Sequence, residues 1–312
     1  MKTLKAYLKL FRWPNLVIMA LTQILFRYAI ILPAFQARGL DATLSHFDFI
    51  MLVLATMLIS AAAYAINDYF DLRIDRINKP QRIILGREIS RRRAILWHSL
   101  LNILGVVIGV YISWRIQYWQ LALVFLAIPA LLWLYSIRYK RKFLVGNLVV
   151  AFLSAFVVGI VWVVEYRSMA AVPHVEMIAG QISLFAGIFA FFAFFSTLIR
   201  EIIKDVEDVK GDARSGCKTV PVVMGIRGTR RLLLVMILGM MAFVGYSQVL
   251  LVQEGYMLLF VWLLLLVQVP LLGLLIQNVK ATSAGEFRRM QYLMKFIMVT
   301  GIFSMVILSL YL

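Results

Sequence analysis

Apolar residues in this chain run in long blocks separated by short polar segments. Nine blocks, at roughly 13–33, 47–67, 94–113, 118–136, 143–164, 180–200, 229–252, 256–277 and 292–312, carry few or no charges. About twenty such residues in a helix cross a hydrocarbon core of ~30 Å. Each block is therefore expected to be a membrane-spanning α-helix. The connections near 114–117 and 253–255 are so short that neighbouring spans form tight hairpins. The pattern predicts an all-α, polytopic, nine-helix membrane protein, with residues 1–312 as one domain.

Composition strengthens this picture. The chain is 63% hydrophobic and its mean hydropathy is +0.90, well beyond a soluble domain of this length. The basic start (Lys2, Lys5, Lys9) leads into a full-length span rather than a short cleavable core, so no signal peptide is expected. The single cysteine, Cys217, forms no internal disulfide and supports no thiolate cluster.

Net charge is +17, which in a soluble protein would suggest nucleic acid. Here the cations crowd into alternate connections, beginning with the N-terminal segment and including Arg73 to Arg93 and Arg138 to Lys142. The intervening connections hold only Arg38, Arg115 and Arg167, while Arg27 lies inside a span. That is the positive-inside asymmetry of a cell-membrane protein with a cytoplasmic N-terminus. Nine spans then put the C-terminus outside. No nucleic-acid partner and no obligatory protein partner are expected.

The acidic residues are placed as selectively as the cations. Of fifteen, eight fall in two short windows, each directly after a long apolar block. The first contains Asp68, Asp71 and Asp75, and the second Glu201, Asp205, Glu207, Asp208 and Asp212. Acids at a membrane edge are costly and mark function. If the helix continues through the first window, Asn67, Asp71 and Asp75 stack at i, i+4 and i+8. In the second, ~100° per residue puts Glu201, Asp205, Asp208 and Asp212 within an arc of roughly 60°. Glu207 points away and is placed outside the site, and Lys204 flanks the stripe.

Stacked carboxylates repel one another, and a bound cation removes that cost. Oxygen ligands without histidine suit a hard ion rather than zinc; His46, His98 and His174 lie elsewhere. Two such stripes suggest Mg²⁺ bridging to a diphosphate. Arg73, Lys79 and Arg82 follow the first stripe. Tyr135, Lys140 and Arg141 close the fourth span, and Lys218 follows the second stripe. Together with metal, such cations can stabilise a departing diphosphate. Asn15, beside Pro14, either begins the first span or contacts substrate. Two other classes fit less well. A transporter would place carboxylates near mid-membrane, and a lipid phosphotransferase using paired Asp motifs would release a nucleotide rather than diphosphate.

At these windows the sequence resembles the UbiA superfamily of intramembrane prenyltransferases. The family's N-D-x-x-D-x-x-x-D motif is matched by Asn67, Asp68, Asp71 and Asp75, and its D-x-x-x-D motif by Asp208 and Asp212. The resemblance implies a nine-helix bundle with a central cavity opening near the cytoplasmic face. It implies Mg²⁺-dependent loss of diphosphate from an allylic isoprenoid and capture of the cation by a lipid or aromatic acceptor. Asp71, Asp75, Asp208 and Asp212 would then be the catalytic acids. Mg²⁺ ligands would come from these four with Asn67, Asp68, Glu201 and Asp205. Substrate contacts would come from Asn15, Asn67, Asp68, Arg82, Tyr135, Lys140, Arg141 and Lys204, with Tyr135 facing the allylic cation. The run from Arg200 to Asp212 and the segment Ile77-Asn78-Lys79-Pro80 look like the geranylgeranylglycerol-phosphate geranylgeranyltransferase group. That points to a geranylgeranyl donor and a geranylgeranylglyceryl phosphate acceptor; an aromatic acceptor of quinone biosynthesis is the alternative.

Overall fold

The structure is a computed structural model that describes residues 2–78, 80–170, 172 and 176–312, without the side chains of Lys2, Thr3, Arg82 and Met177. Among the described residues, a short helix α1 (Lys2–Leu10) precedes nine helices long and apolar enough to span a membrane. These are α2 (Trp13–Gln36), α3 (His46–Asn78), α4 (Arg91–Arg115), α5 (Gln120–Ile137), α6 (Val145–Ser168), α7 (Glu176–Arg214), α8 (Val220–Gln253), α9 (Met257–Lys280) and α10 (Ala284–Leu308). The number of spans matches the hydropathy pattern. The ends do not all match. α3 runs about three turns past the apolar block that founds it, and α7 about four. Both acidic windows therefore sit on continuous helix, projecting from the membrane-spanning part.

Helices pack mainly with sequence neighbours, α3 with α4, α6 with α7 and α7 with α8, and α7 packs also against the distant α10. Large apolar side chains remain exposed around the bundle, among them Leu123, Val235 and Leu265, as expected of a surface solvated by lipid. Two apolar cores form inside. One joins α2, α3, α6 and the start of α7 around Phe26, Phe35 and Phe49. The other joins α7 to α8, α9 and α10 around Ile199, Ile203 and Met294. α1 is amphipathic. Ala6 and Leu10 are buried against Ala65 and Leu72 of α3, while Leu4 and Leu8 stay exposed.

One buried pair lies far from the acidic windows. Arg27, in a π-helical turn of α2 (Phe26–Ile31), meets Glu165 near the end of α6, Nε to Oε1 2.5 Å. Both side chains are almost fully buried. Sequence reading registers Arg27 only as a charge within a span and overlooks Glu165. The Arg27 guanidinium also reaches the Leu44 carbonyl, so it joins α2, α6 and the turn before α3.

Candidate active site

The two acidic helix ends face each other across one cavity of 640 Å³. Its wall takes Asn67, Asp68, Asp71 and Asp75 from α3 and Glu201, Lys204, Asp205, Asp208 and Asp212 from α7. Tyr135 comes from the end of α5, and Lys140 and Arg141 from the 3₁₀ turn that follows it (Tyr139–Arg141). The stacking inferred for α3 is present. Asn67 Nδ2 donates to Asp71 Oδ2 at 2.8 Å, as an i, i+4 pair on one helix face should.

Lys140 ties this stripe to the neighbouring turn. Its Nζ is 2.6 Å from Asp71 Oδ1 and donates to Asn67 Oδ1 at 3.1 Å. The turn can sit this close because the second residue of α6 lacks a side chain: a Cβ on Gly146 would lie 2.6 Å from Lys140 Cα. The Lys218 amide donates to the Arg141 carbonyl at 2.8 Å, which fixes the turn to the segment after α7.

In the second stripe, Asp205 and Asp212 are held by neutral partners. Asn147 Nδ2 donates to Asp205 Oδ2 at 2.8 Å, and Thr219 Oγ1 to Asp212 Oδ2 at 3.2 Å. Asp75 and Asp208 also make interactions. Across the cavity floor Asn78, the last residue of α3, bridges to α7. Its Nδ2 donates to the Asp208 carbonyl at 2.9 Å and its Oδ1 accepts from the Gly211 amide at 2.8 Å. A Cβ on Gly211 would come within 2.4 Å of that Oδ1, so glycine is required for the clamp.

Three further side chains are set by particular partners. Both oxygens of Glu201 face cations, Arg200 Nη1 at 2.6 Å and Lys204 Nζ at 3.3 Å. Asp68 pairs with Arg12 Nη2 at 2.8 Å. Burial works against the Arg12 charge, but Asp68, with Tyr64 and Glu201, together outweigh it and raise the guanidinium above its ordinary value. Glu207 is bound by Arg288 and Gln291 of α10. It leaves the stripe as expected, yet it still contributes to the cavity wall. The Arg82 side chain and Lys79 lie outside the described residues. Cys217 is buried at the cavity edge. Burial first, and then the Asp212 charge, push its thiol above the ordinary value, which suits an inert structural role.

Above the acids the cavity narrows into a second, mainly apolar chamber of 310 Å³. Its lining includes Leu16, Met19, Phe125, Ile128, Phe156 and Phe192. Arg12, Asn67, Tyr135, Arg200, Glu201, Lys204 and Lys295 line both spaces and form the neck between them. Asn15 lines the apolar chamber and accepts from Lys295 Nζ at 3.1 Å. The partners Asn78, Asn147, Thr219, Arg200 and Lys295 were not singled out as site residues by sequence reasoning. Asn78, Asn147 and Lys295 owe their places to contacts between helices distant in sequence, for which periodicity gives no signal, whereas Thr219 and Arg200 pair locally with Asp212 and Glu201.

Among the described residues no three acidic, histidine or cysteine groups converge into a metal cage. The donor set is nevertheless all oxygen, on two facing helices, with room between them. That suits Mg²⁺, which takes few protein carboxylates and completes its shell with water and substrate oxygens.

The chain is similar to known proteins. The chain is 35% identical over 219 residues to a digeranylgeranylglyceryl phosphate synthase of Methanobrevibacter smithii, covering 70% of this chain and 69% of that one. It is 36% identical to the enzyme of that name from Thermococcus kodakarensis, over 56% of each chain. A solved structure described as digeranylgeranylglyceryl phosphate synthase in membranes superposes with a TM-score of 0.65 at 21% identity, covering 100% of both chains. A UbiA homologue from Archaeoglobus fulgidus, solved with DMAPP and Mg²⁺, does so with a TM-score of 0.56 at 17% identity, covering 96% and 98%. At these identities the structures establish the fold. Residues 12–308 match the UbiA prenyltransferase family, and with the full set of spans and both acidic motifs in place, the chain belongs to that family of multi-pass membrane enzymes.

Proposed function

We propose that this prenyltransferase moves a geranylgeranyl group from its allylic diphosphate to the free hydroxyl of geranylgeranylglyceryl phosphate, with Mg²⁺, at the cytoplasmic side of the cell membrane. One observation carries the reading: two acid-bearing helix ends face each other in a polar cavity that continues through a neck into an apolar chamber. A diphosphate with a hydrocarbon tail has that same division. The synthases at 35% and 36% identity support the acceptor. The homologue holding DMAPP and Mg²⁺ supports the donor class and the ion.

Asp71, Asp75, Asp208 and Asp212, with Asn67 and Asp205, would hold Mg²⁺. Bound there, the ion neutralises charge on the leaving diphosphate. Lys140 and Arg141 donate to diphosphate oxygens. Asp68 is kept for Arg12. Glu201 acts as counter-charge to Arg200 and Lys204 rather than as a ligand, because both its oxygens already face cations. The apolar chamber positions the tail so that its first carbon lies at the neck beside Tyr135. There the bond from carbon to diphosphate oxygen breaks, and the oxygen keeps the electron pair. The acceptor hydroxyl supplies the pair for the new ether bond and loses its proton to cavity water.

The test offers purified protein radiolabelled geranylgeranyl diphosphate and Mg²⁺ with two acceptors in parallel, geranylgeranylglyceryl phosphate and 4-hydroxybenzoate. Label in the glycerol ether with release of diphosphate is expected. Label in the aromatic ring would keep the chemistry and overturn the acceptor.

A further inference from the structure

The charges around the cavity are unevenly divided. The floor is acidic: Asp71, Asp75, Asp205, Asp208 and Asp212 outnumber Lys9, Lys140 and Arg141, and Arg288 is paired with Glu207. The neck is the reverse. Arg12 and Asp68 cancel there, leaving Arg200, Lys204 and Lys295 against the single carboxylate of Glu201. Lys295, on α10, and Arg200, on α7, line the same neck, shared by both spaces. Among the described residues Lys295 meets no carboxylate, only the neutral Asn15 Oδ1. Like charges held together in a partly buried wall are unfavourable unless an anion joins them.

From this we infer that Lys295 and Arg200 form a metal-free seat for the anionic head of the acceptor, a phosphate monoester on a glycerol lipid. The seat rests on the prenyl-transfer reading above and adds to it where the second substrate is held. About two unbalanced positive charges match a phosphate dianion. Arg200 supplies a planar fork and Lys295 a point charge, both suited to phosphate oxygens. The position also separates the two substrates. The Mg²⁺-bound diphosphate belongs on the acidic floor, and the acceptor phosphate on the opposite side of the neck. Its glycerol hydroxyl then reaches the allylic carbon between them, and its own tail follows the shared apolar chamber.

Steady-state kinetics on the purified full chain test this with Lys295→Gln, Lys295→Arg and two acceptors. One is geranylgeranylglyceryl phosphate and the other is the same lipid without phosphate. Losing a charge-assisted contact to phosphate should raise the acceptor KM of Lys295→Gln about ten- to hundredfold. The KM for geranylgeranyl diphosphate should stay within about twofold, and Lys295→Arg should recover most of the loss. With the phosphate-free lipid, wild type and Lys295→Gln should be equally poor. An unchanged acceptor KM, or an equal rise in both substrates' KM values, in Lys295→Gln overturns the seat alone. A wild-type protein that prenylates neither glycerol lipid overturns the acceptor reading, and the seat with it.

Discussion

Glu201 and Asp208 are both acids of one helix stripe, and their surroundings separate them. Arg200 and Lys204 occupy both oxygens of Glu201, whereas Asp208 sits where Asn78 brings α3 against α7. Replacing Asp208 with asparagine should remove a charge intended for metal. The Mg²⁺ concentration for half-maximal rate is expected to rise at least about tenfold, and Mn²⁺ binding followed by electron paramagnetic resonance to weaken in parallel. Glu201→Gln should leave both readouts near wild type while disturbing the neck cations. If the two variants shift Mg²⁺ dependence equally, Glu201 is a ligand after all. Helical periodicity alone could not separate the two acids, because it places side chains on a face without saying which cation meets them from other helices.

Between elements, the distance from one acidic stripe to the other depends on Asn78 and Gly211. A net hydrogen bond contributes about 1 kcal/mol, so Asn78→Ala should lower stability only modestly. Its effect on turnover should be larger, because ligands must converge within about half an ångström of a working geometry. About a tenfold fall in kcat is expected, with a raised Mg²⁺ requirement and a melting temperature within a few degrees of wild type. Gly211→Ala should do the same, since its Cβ displaces the Asn78 amide. A variant that melts early yet turns over normally at low temperature would reduce Asn78 to a structural brace. Length and hydropathy made the nine spans legible, and i, i+4 spacing made the motif residues legible. The extension of α3 and α7 beyond the apolar blocks was legible only as a condition, since polar residues end a hydropathy signal without ending a helix. The clamp itself was hidden: an asparagine before Lys-Pro reads first as a helix end.

For the whole molecule, the side opposite the acids is fastened by Arg27 and Glu165. Removing one member of a buried pair typically costs about 3–5 kcal/mol, because the other charge is stranded in a low dielectric. Glu165→Ala should therefore lower the detergent melting temperature markedly without any specific change in Mg²⁺ dependence. Arg27→Met combined with Glu165→Leu should restore most of the loss. Pairing across spans leaves no periodic trace, which is why sequence gave Arg27 without its partner. Orientation is testable at the same scale. The basic segments predict a cytoplasmic N-terminus, so a reporter fused after Leu312 should be active only in its external form. A cytoplasmic signal there would reverse the topology.

The neck shared by the polar and apolar chambers bears on how the reaction ends. On the function proposed above, diphosphate from the acidic floor would pass into water, whereas a doubly prenylated glycerol lipid would stay in the bilayer. The two products part into different phases and rarely meet again at one site. Back-reaction is then suppressed by dilution across a phase boundary, and flux toward membrane lipid is sustained by where the enzyme sits as much as by the bond it makes.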